Sequence, residues 1–103
     1  MIREVTPAEA VALVGDGAML LDVREPYEWE DVHTPDAVHV PMSELNARVN
    51  EIDRDRVVVC MCHIGQRSAA VANALSQAGW DAVSLAGGIE AWEQDGFPVV
   101  RGG

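Results

Sequence analysis

The sequence contains no lysine. Its seven basic residues are all arginine, they face 17 acidic ones, and the formal net charge is −10. A chain of this balance lacks the basic face that nucleic acids and anionic membranes select, so neither is expected as a partner. Long apolar runs are also missing. No stretch approaches the roughly 18 apolar residues of a membrane span. The N-terminal MIREVTPAEA has no basic patch followed by an apolar run, which argues against a secretory leader. Cysteine is scarce: only Cys60 and Cys62 occur. Separated by one residue, they cannot pair with each other without strain, so no disulfide framework holds the fold. Free thiols and a reducing, cytoplasmic setting are expected. Repeats, low-complexity tracts and linkers are absent. What remains is 103 residues, 49% of them hydrophobic, enough for one domain over residues 1–103 with a core that needs no covalent staple.

The chain reads as short apolar runs alternating with helical patterns. Ile2–Val5 suits a first strand. Thr6-Pro7-x-Glu9 has the form of a helix start, with Thr6 as N-cap, proline in the first turn and glutamate three residues on. That helix should end near Gly15-Asp16-Gly17. Ala18–Val23 is a buried strand, and Val38–Val40 a short one stopped by Pro41. Ser43 can cap a helix through Ile52, with Leu45, Val49 and Ile52 on one face. Val57–Met61 is β-branched and apolar on both faces, as a central parallel strand requires. A helix over Arg67–Ala78, a strand over Ala82–Leu85 and a short helix over Ile89–Gln94 follow. The alternation predicts an α/β sandwich: a mostly parallel five-stranded sheet with helices on both faces. Ligands on such sheets bind beyond the carboxyl ends of the strands. Cys62 stands at that end of the strongest strand.

The loop Cys62-His63-Ile64-Gly65-Gln66-Arg67-Ser68 joins this strand to a helix. Such a loop can curl so that successive backbone N–H groups point inward, and Gly65 gives it access to positive φ. The nest above a helix N-terminus is a site of positive potential. It would stabilise a thiolate, and any anion carried on that sulfur. Arg67 adds a permanent cation. Val57–Trp80 contains no acidic residue, where 24 residues of average composition would hold about four. A buried strand followed by a buried helix would exclude acids as well.

Four motifs now stand in order. Leu21-Asp22-Val23-Arg24-Glu25-Pro26 is the first, and His33-Thr34-Pro35-Asp36-Ala37-Val38-His39-Val40-Pro41 the second. The third is Cys-x4-Arg-Ser at Cys62–Ser68, followed by an alanine-rich helix ending in Ala78-Gly79-Trp80. The fourth is Ala86-Gly87-Gly88-Ile89-Glu90-Ala91-Trp92. Together they resemble the rhodanese-like sulfurtransferase domain over Val5 to Pro98. The resemblance implies a single rhodanese-like three-layer domain. It implies that Cys62 takes sulfane sulfur from a small donor as a persulfide and passes it to a thiol, cyanide or protein acceptor. The backbone of His63, Ile64, Gly65, Gln66, Arg67 and Ser68 would cradle that persulfide. Two positions depart from the family: Val32 stands where glycine often precedes the histidine, and Thr34 where a large aliphatic residue usually follows it. The loop also offers His63 and Ile64 where many thiosulfate-using members carry basic residues.

Asp22 and Arg24 are read as supports, bracing the loop or each other. Cys60 belongs to the core, with a resolving thiol as its alternative role. His63 is substrate-adjacent, while His33 and His39 are structural. Trp29, Trp80 and Trp92 are core or rim. Cys60, Cys62 and His63 lack a second ligand pair at zinc spacing, so neither metal nor cofactor is expected. The terminal Arg101-Gly102-Gly103 reads as a frayed end. Two other functions remain open: a sulfur-relay or interaction module without turnover of its own, and a phosphatase or arsenate reductase. Phosphatase relatives of the fold use a longer Cys-x5-Arg loop, and the four intervening residues here suit one sulfur atom better.

Overall fold

The computed structural model describes residues 2–102. Its centre is a five-stranded sheet made of β1 (Glu4–Val5), β2 (Met19–Asp22), β4 (Val38–His39), β5 (Val58–Met61) and β6 (Ala82–Leu85). The order is β1-β6-β5-β2-β4, and every pairing is parallel. β5 is central, with Asp22 opposite Met61 on one side and Ser84 opposite Cys60 on the other. All four residues of β2, β5 and β6 are buried. This matches the run that is apolar on both faces, because helices cover the sheet twice.

Two cores result. On one face, Leu21, Val58 and Cys60 pack with Val71, Ala72 and Leu75 of α4 (Gln66–Gln77), and with Leu45 and Val49. On the other, Leu20, Val59, Met61 and Leu85 meet Ala10 and Leu13 of α1 (Pro7–Gly15), and Ile89 and Trp92 of α5 (Gly88–Gln94). Thr6 caps α1 in a full capping box with Glu9, at 3.1 and 2.8 Å. The five-stranded parallel sheet and its two helical layers follow the sequence reading.

Three elements were not anticipated. Helix α2 spans Pro26–Asp31, and the strands β3 (Val32–His33) and β7 (Val100–Arg101) pair antiparallel in a second, two-stranded sheet. The start of α2, Glu25-Pro26-Tyr27-Glu28, repeats the form of Thr6-Pro7-Ala8-Glu9: the Glu28 carboxylate accepts the Glu25 N–H at 3.0 Å. The helix expected from Ser43 to Ile52 is instead a 3₁₀ turn (Met42–Glu44), α3 (Leu45–Arg48) and another 3₁₀ turn (Val49–Glu51). Val49 and Asn50 are weak helix formers, and Ile52 N–H bonds Val49 O at 3.1 Å in the tighter pattern. The Ser43 hydroxyl donates to the Glu25 carboxylate, at 3.1 and 3.3 Å, rather than capping α3.

Candidate active site

The connections from β2 and β5 diverge. The chain leaves β2 toward β4, and leaves β5 toward β6 on the opposite side. A crevice opens at such a divergence, beyond the strand ends. Cys62 follows β5 directly and sits in it, only 1% exposed. Its loop is short because Gly65, at φ +112°, turns the chain into α4 at once. A side chain at Gly65 would also press on the Gly87 backbone N, at 3.3 Å.

The loop is gripped from behind by α5. Ile89 N–H donates to Cys62 O at 2.8 Å, and Glu90 N–H to His63 O at 3.2 Å. The approach demands glycine at position 88: a Cβ there would lie 2.4 Å from Cys62 O and 2.3 Å from His63 O. With those two carbonyls turned toward α5, the trans peptide geometry turns the N–H groups of His63 and Ile64 the other way.

Among the described residues, two backbone N–H groups and one hydroxyl lie within 3.5 Å of the sulfur, and the Arg67 backbone adds a weaker contact. Gly65 N–H donates to Cys62 Sγ at 3.1 Å and Ser68 N–H at 3.4 Å, while the Ser68 hydroxyl lies 3.5 Å away. Ser68 Oγ is in turn 2.8 Å from Ser84 Oγ and 3.2 Å from Gly65 O. Burial pushes the Cys62 thiol up. The hydrogen bonds from the Ser68 side chain and from the Ser68, Gly65 and Arg67 backbone together outweigh it, and hold the thiol below its ordinary range. Among the described residues, Cys60 has no such donors. Buried within β5, its thiol is pushed up to about 12, with the Cys62 charge adding to the effect of burial.

Asp22 and Arg24 hold each other. Asp22 receives Arg24 Nε at 3.1 Å on both oxygens, Nη2 at 2.8 Å and the Arg24 backbone N–H at 2.9 Å. Arg24 also donates to Val32 O at 2.6 Å and Glu28 O at 3.2 Å, which ties the middle of α2 and the start of β3 to it. That clamp brings Glu28 to the loop. Its carboxylate takes both Arg67 Nη atoms, at 2.6 and 2.7 Å. Arg67 is thus no free cation, as its sequence context suggested, but half of a two-point ion pair. The pair holds the Glu28 carboxyl down to about 2.

His63 and Ile64 are exposed at the loop's outer edge, and His63 lies 3.4 Å from Glu90. Gln66 is exposed at the start of α4. His33 and His39 bond the carbonyls of Trp29 and Arg24, at 2.9 and 2.7 Å, and sandwich the Trp29 ring. Trp80 and Trp92 are buried. Thr34 is buried, with its hydroxyl unpartnered among the described residues. Glu28 and Ser84 escaped the sequence reading, and Gly88 entered it only as part of the fourth motif, without its role against the loop. Glu28 carried a signal there, the glutamate three residues past Glu25, and Ser84 carried none.

Residues 6–95 match the rhodanese-like domain family. The chain belongs to that family. It is 36% identical over 91 residues to the thiosulfate sulfurtransferase GlpE of Pseudomonas syringae, covering 87% of this chain and 86% of that protein. A sulfurtransferase of Allochromatium vinosum is 40% identical over 86 residues, covering 82% and 80%. Among solved structures, a rhodanese-related protein from Thermoplasma volcanium superposes with a TM-score of 0.88 at 35% identity, covering 95% of this chain and 97% of that one. These rhodanese-like relatives support sulfurtransferase activity in general terms. No helix among the described residues is long and apolar enough to cross a membrane.

Proposed function

We propose that this protein transfers sulfane sulfur through a persulfide on Cys62. The observation that carries the reading is the convergence of two backbone N–H groups and one hydroxyl on Cys62 Sγ inside a Cys-x4-Arg ring. In the first half-reaction the Cys62 thiolate attacks the outer sulfur of a donor. The donor's S–S bond breaks, and the remainder leaves with the electron pair. The inward N–H groups of the loop, from His63 to Ser68, then hold the persulfide's negative charge. In the second half-reaction a thiolate, cyanide or a protein cysteine attacks the outer sulfur, and Cys62 departs as thiolate. The scheme is covalent and two-step. Hydrogen-bond donors on the sulfur serve both halves, because they favour Cys62 as nucleophile and as leaving group. Asp22 and Arg24 act at a distance, by fixing α2 beside the loop. Free thiols suit a reducing, cytoplasmic compartment.

The test is thiocyanate release from a thiosulfonate donor with cyanide as acceptor. Ping-pong kinetics are expected, with activity abolished by Cys62→Ser and largely kept by Cys60→Ser. Efficient aryl-phosphate hydrolysis with no thiocyanate release would overturn the reading in favour of an oxyanion-transfer enzyme.

A further inference from the structure

The groove beside the loop, about 400 Å³, is lined by Tyr27, Glu28, Asp31, His63, Glu90 and Glu93, together with Arg24, Arg101 and the apolar Val32 and Ile89. Among the described residues, each cation around it already has a carboxylate. Arg24 is held by Asp22, Arg67 by Glu28 and Arg101 by Glu93, while His63 lies beside Glu90. The decisive pair is Arg67–Glu28. Arg67 is the only arginine of the loop, and both its terminal nitrogens are committed to Glu28 Oε1 and Oε2. A dianionic donor approaching Cys62 therefore meets backbone dipoles but no uncommitted guanidinium.

Resting on the persulfide reading above, we infer that Glu28 is a specificity-determining residue. By occupying Arg67 it disfavours donors that bring two negative charges, such as thiosulfate, relative to donors bearing less charge. Coulombic interaction scales with the charge of the donor, so the bias grows with each negative charge it carries. The carboxyl's low pKa keeps Glu28 ionised across the working pH range. Glu28 does not touch the reacting sulfur. Its action is exerted through Arg67 and through its own charge.

Thiosulfate and methanethiosulfonate make a matched pair of probes. In each, the Cys62 thiolate attacks the outer sulfur and the S–S bond breaks. The leaving group is sulfite from the dianion and methanesulfinate from the monoanion, and each departs with the electron pair. Glu28→Gln keeps an oxygen to accept the Glu25 N–H, so the start of α2 survives. In that variant kcat/KM for thiosulfate should rise on the order of tenfold, and for methanethiosulfonate about threefold, since half the charge is involved. The ratio of the two should therefore climb about threefold, and narrow again at high salt. Glu28→Asp, which keeps the charge, should hold the parent ratio. A mere loss of packing would lower both donors alike. Persulfide formation with both donors but an unchanged or falling ratio in Glu28→Gln would overturn the assignment. Failure of the parent protein to form a persulfide with either donor would sink the underlying sulfurtransferase reading as well.

Discussion

Cys60 lies within β5 and Cys62 just past its end, with Met61 between them, and their chemistry diverges because, among the described residues, backbone donors reach only Cys62. Burial, with the Cys62 charge adding to it, sends the Cys60 thiol to about 12. Cys62 is as buried, but Gly65 N–H, Ser68 N–H and the Ser68 hydroxyl hold its thiol below the ordinary range. Alkylation follows the thiolate, so the sign is direct. The iodoacetamide rate should reach half its plateau at a pH below that of free cysteine, and the reactive residue should be Cys62. Ser68→Ala removes one donor and should move the midpoint upward, while Cys60→Ser should leave it in place. A midpoint above that of free cysteine would show that desolvation, not the loop, governs the sulfur. Ser84 completes the set. Its hydroxyl lies 2.8 Å from that of Ser68, whose own proton has Gly65 O, at 3.2 Å, and the sulfur as acceptors within reach.

At the scale of elements, the site is two pieces of different range. The loop was legible in the sequence because its contacts are local. Gly65 lies three residues and Ser68 six from Cys62, and a strand–loop–helix with glycine in it can close in few ways. The strands β2, β5 and β6 were legible for a related reason: sheets covered on both faces leave unbroken apolar runs. Helix α2 was not, since Glu25 is not among the favoured N-caps and four acids crowd its segment. The pairing of Glu28 with Arg67 spans 39 residues, and that of Ser68 with Ser84 spans 16. Nothing in local pattern encodes them. The first exists because Asp22 and Arg24, 0% and 2% exposed, clamp α2 against the sheet end, and the second because α4 packs on β6. Arg24→Met strands a buried carboxylate and unties Glu28 O and Val32 O. It should cost about 3–5 kcal/mol in urea unfolding, and adding Asp22→Leu should recover a large part of the loss. A cost below about 1 kcal/mol for Arg24→Met would mean that the clamp is dispensable.

For the whole molecule, charge sets the approach. The net charge is −10, and Asp22–Asp36 alone holds six acids against one arginine. At physiological salt the Debye length is about 8 Å, so distant acids fade while short contacts inside the loop persist. Repulsion of a dianion therefore acts mainly on encounter at low salt. For thiosulfate, kcat/KM should be low and should rise as inert salt goes from very low to physiological concentration. An uncharged donor should show little such rise. A steep fall for thiosulfate would place a positive field at the mouth and move the acidic body off the approach path.

The central claim is that sulfur rides on Cys62. It is tested most directly by incubating the intact protein with a thiosulfonate, removing the excess and mapping the modified peptide by mass spectrometry. One added sulfur atom on the peptide containing Cys62 is expected. It should be lost on treatment with cyanide or a thiol, absent from Cys62→Ser and retained on Cys62 in Cys60→Ser. Added sulfur that persists in Cys62→Ser, or an unmodified Cys62 under conditions where sulfur transfer proceeds, would contradict the account.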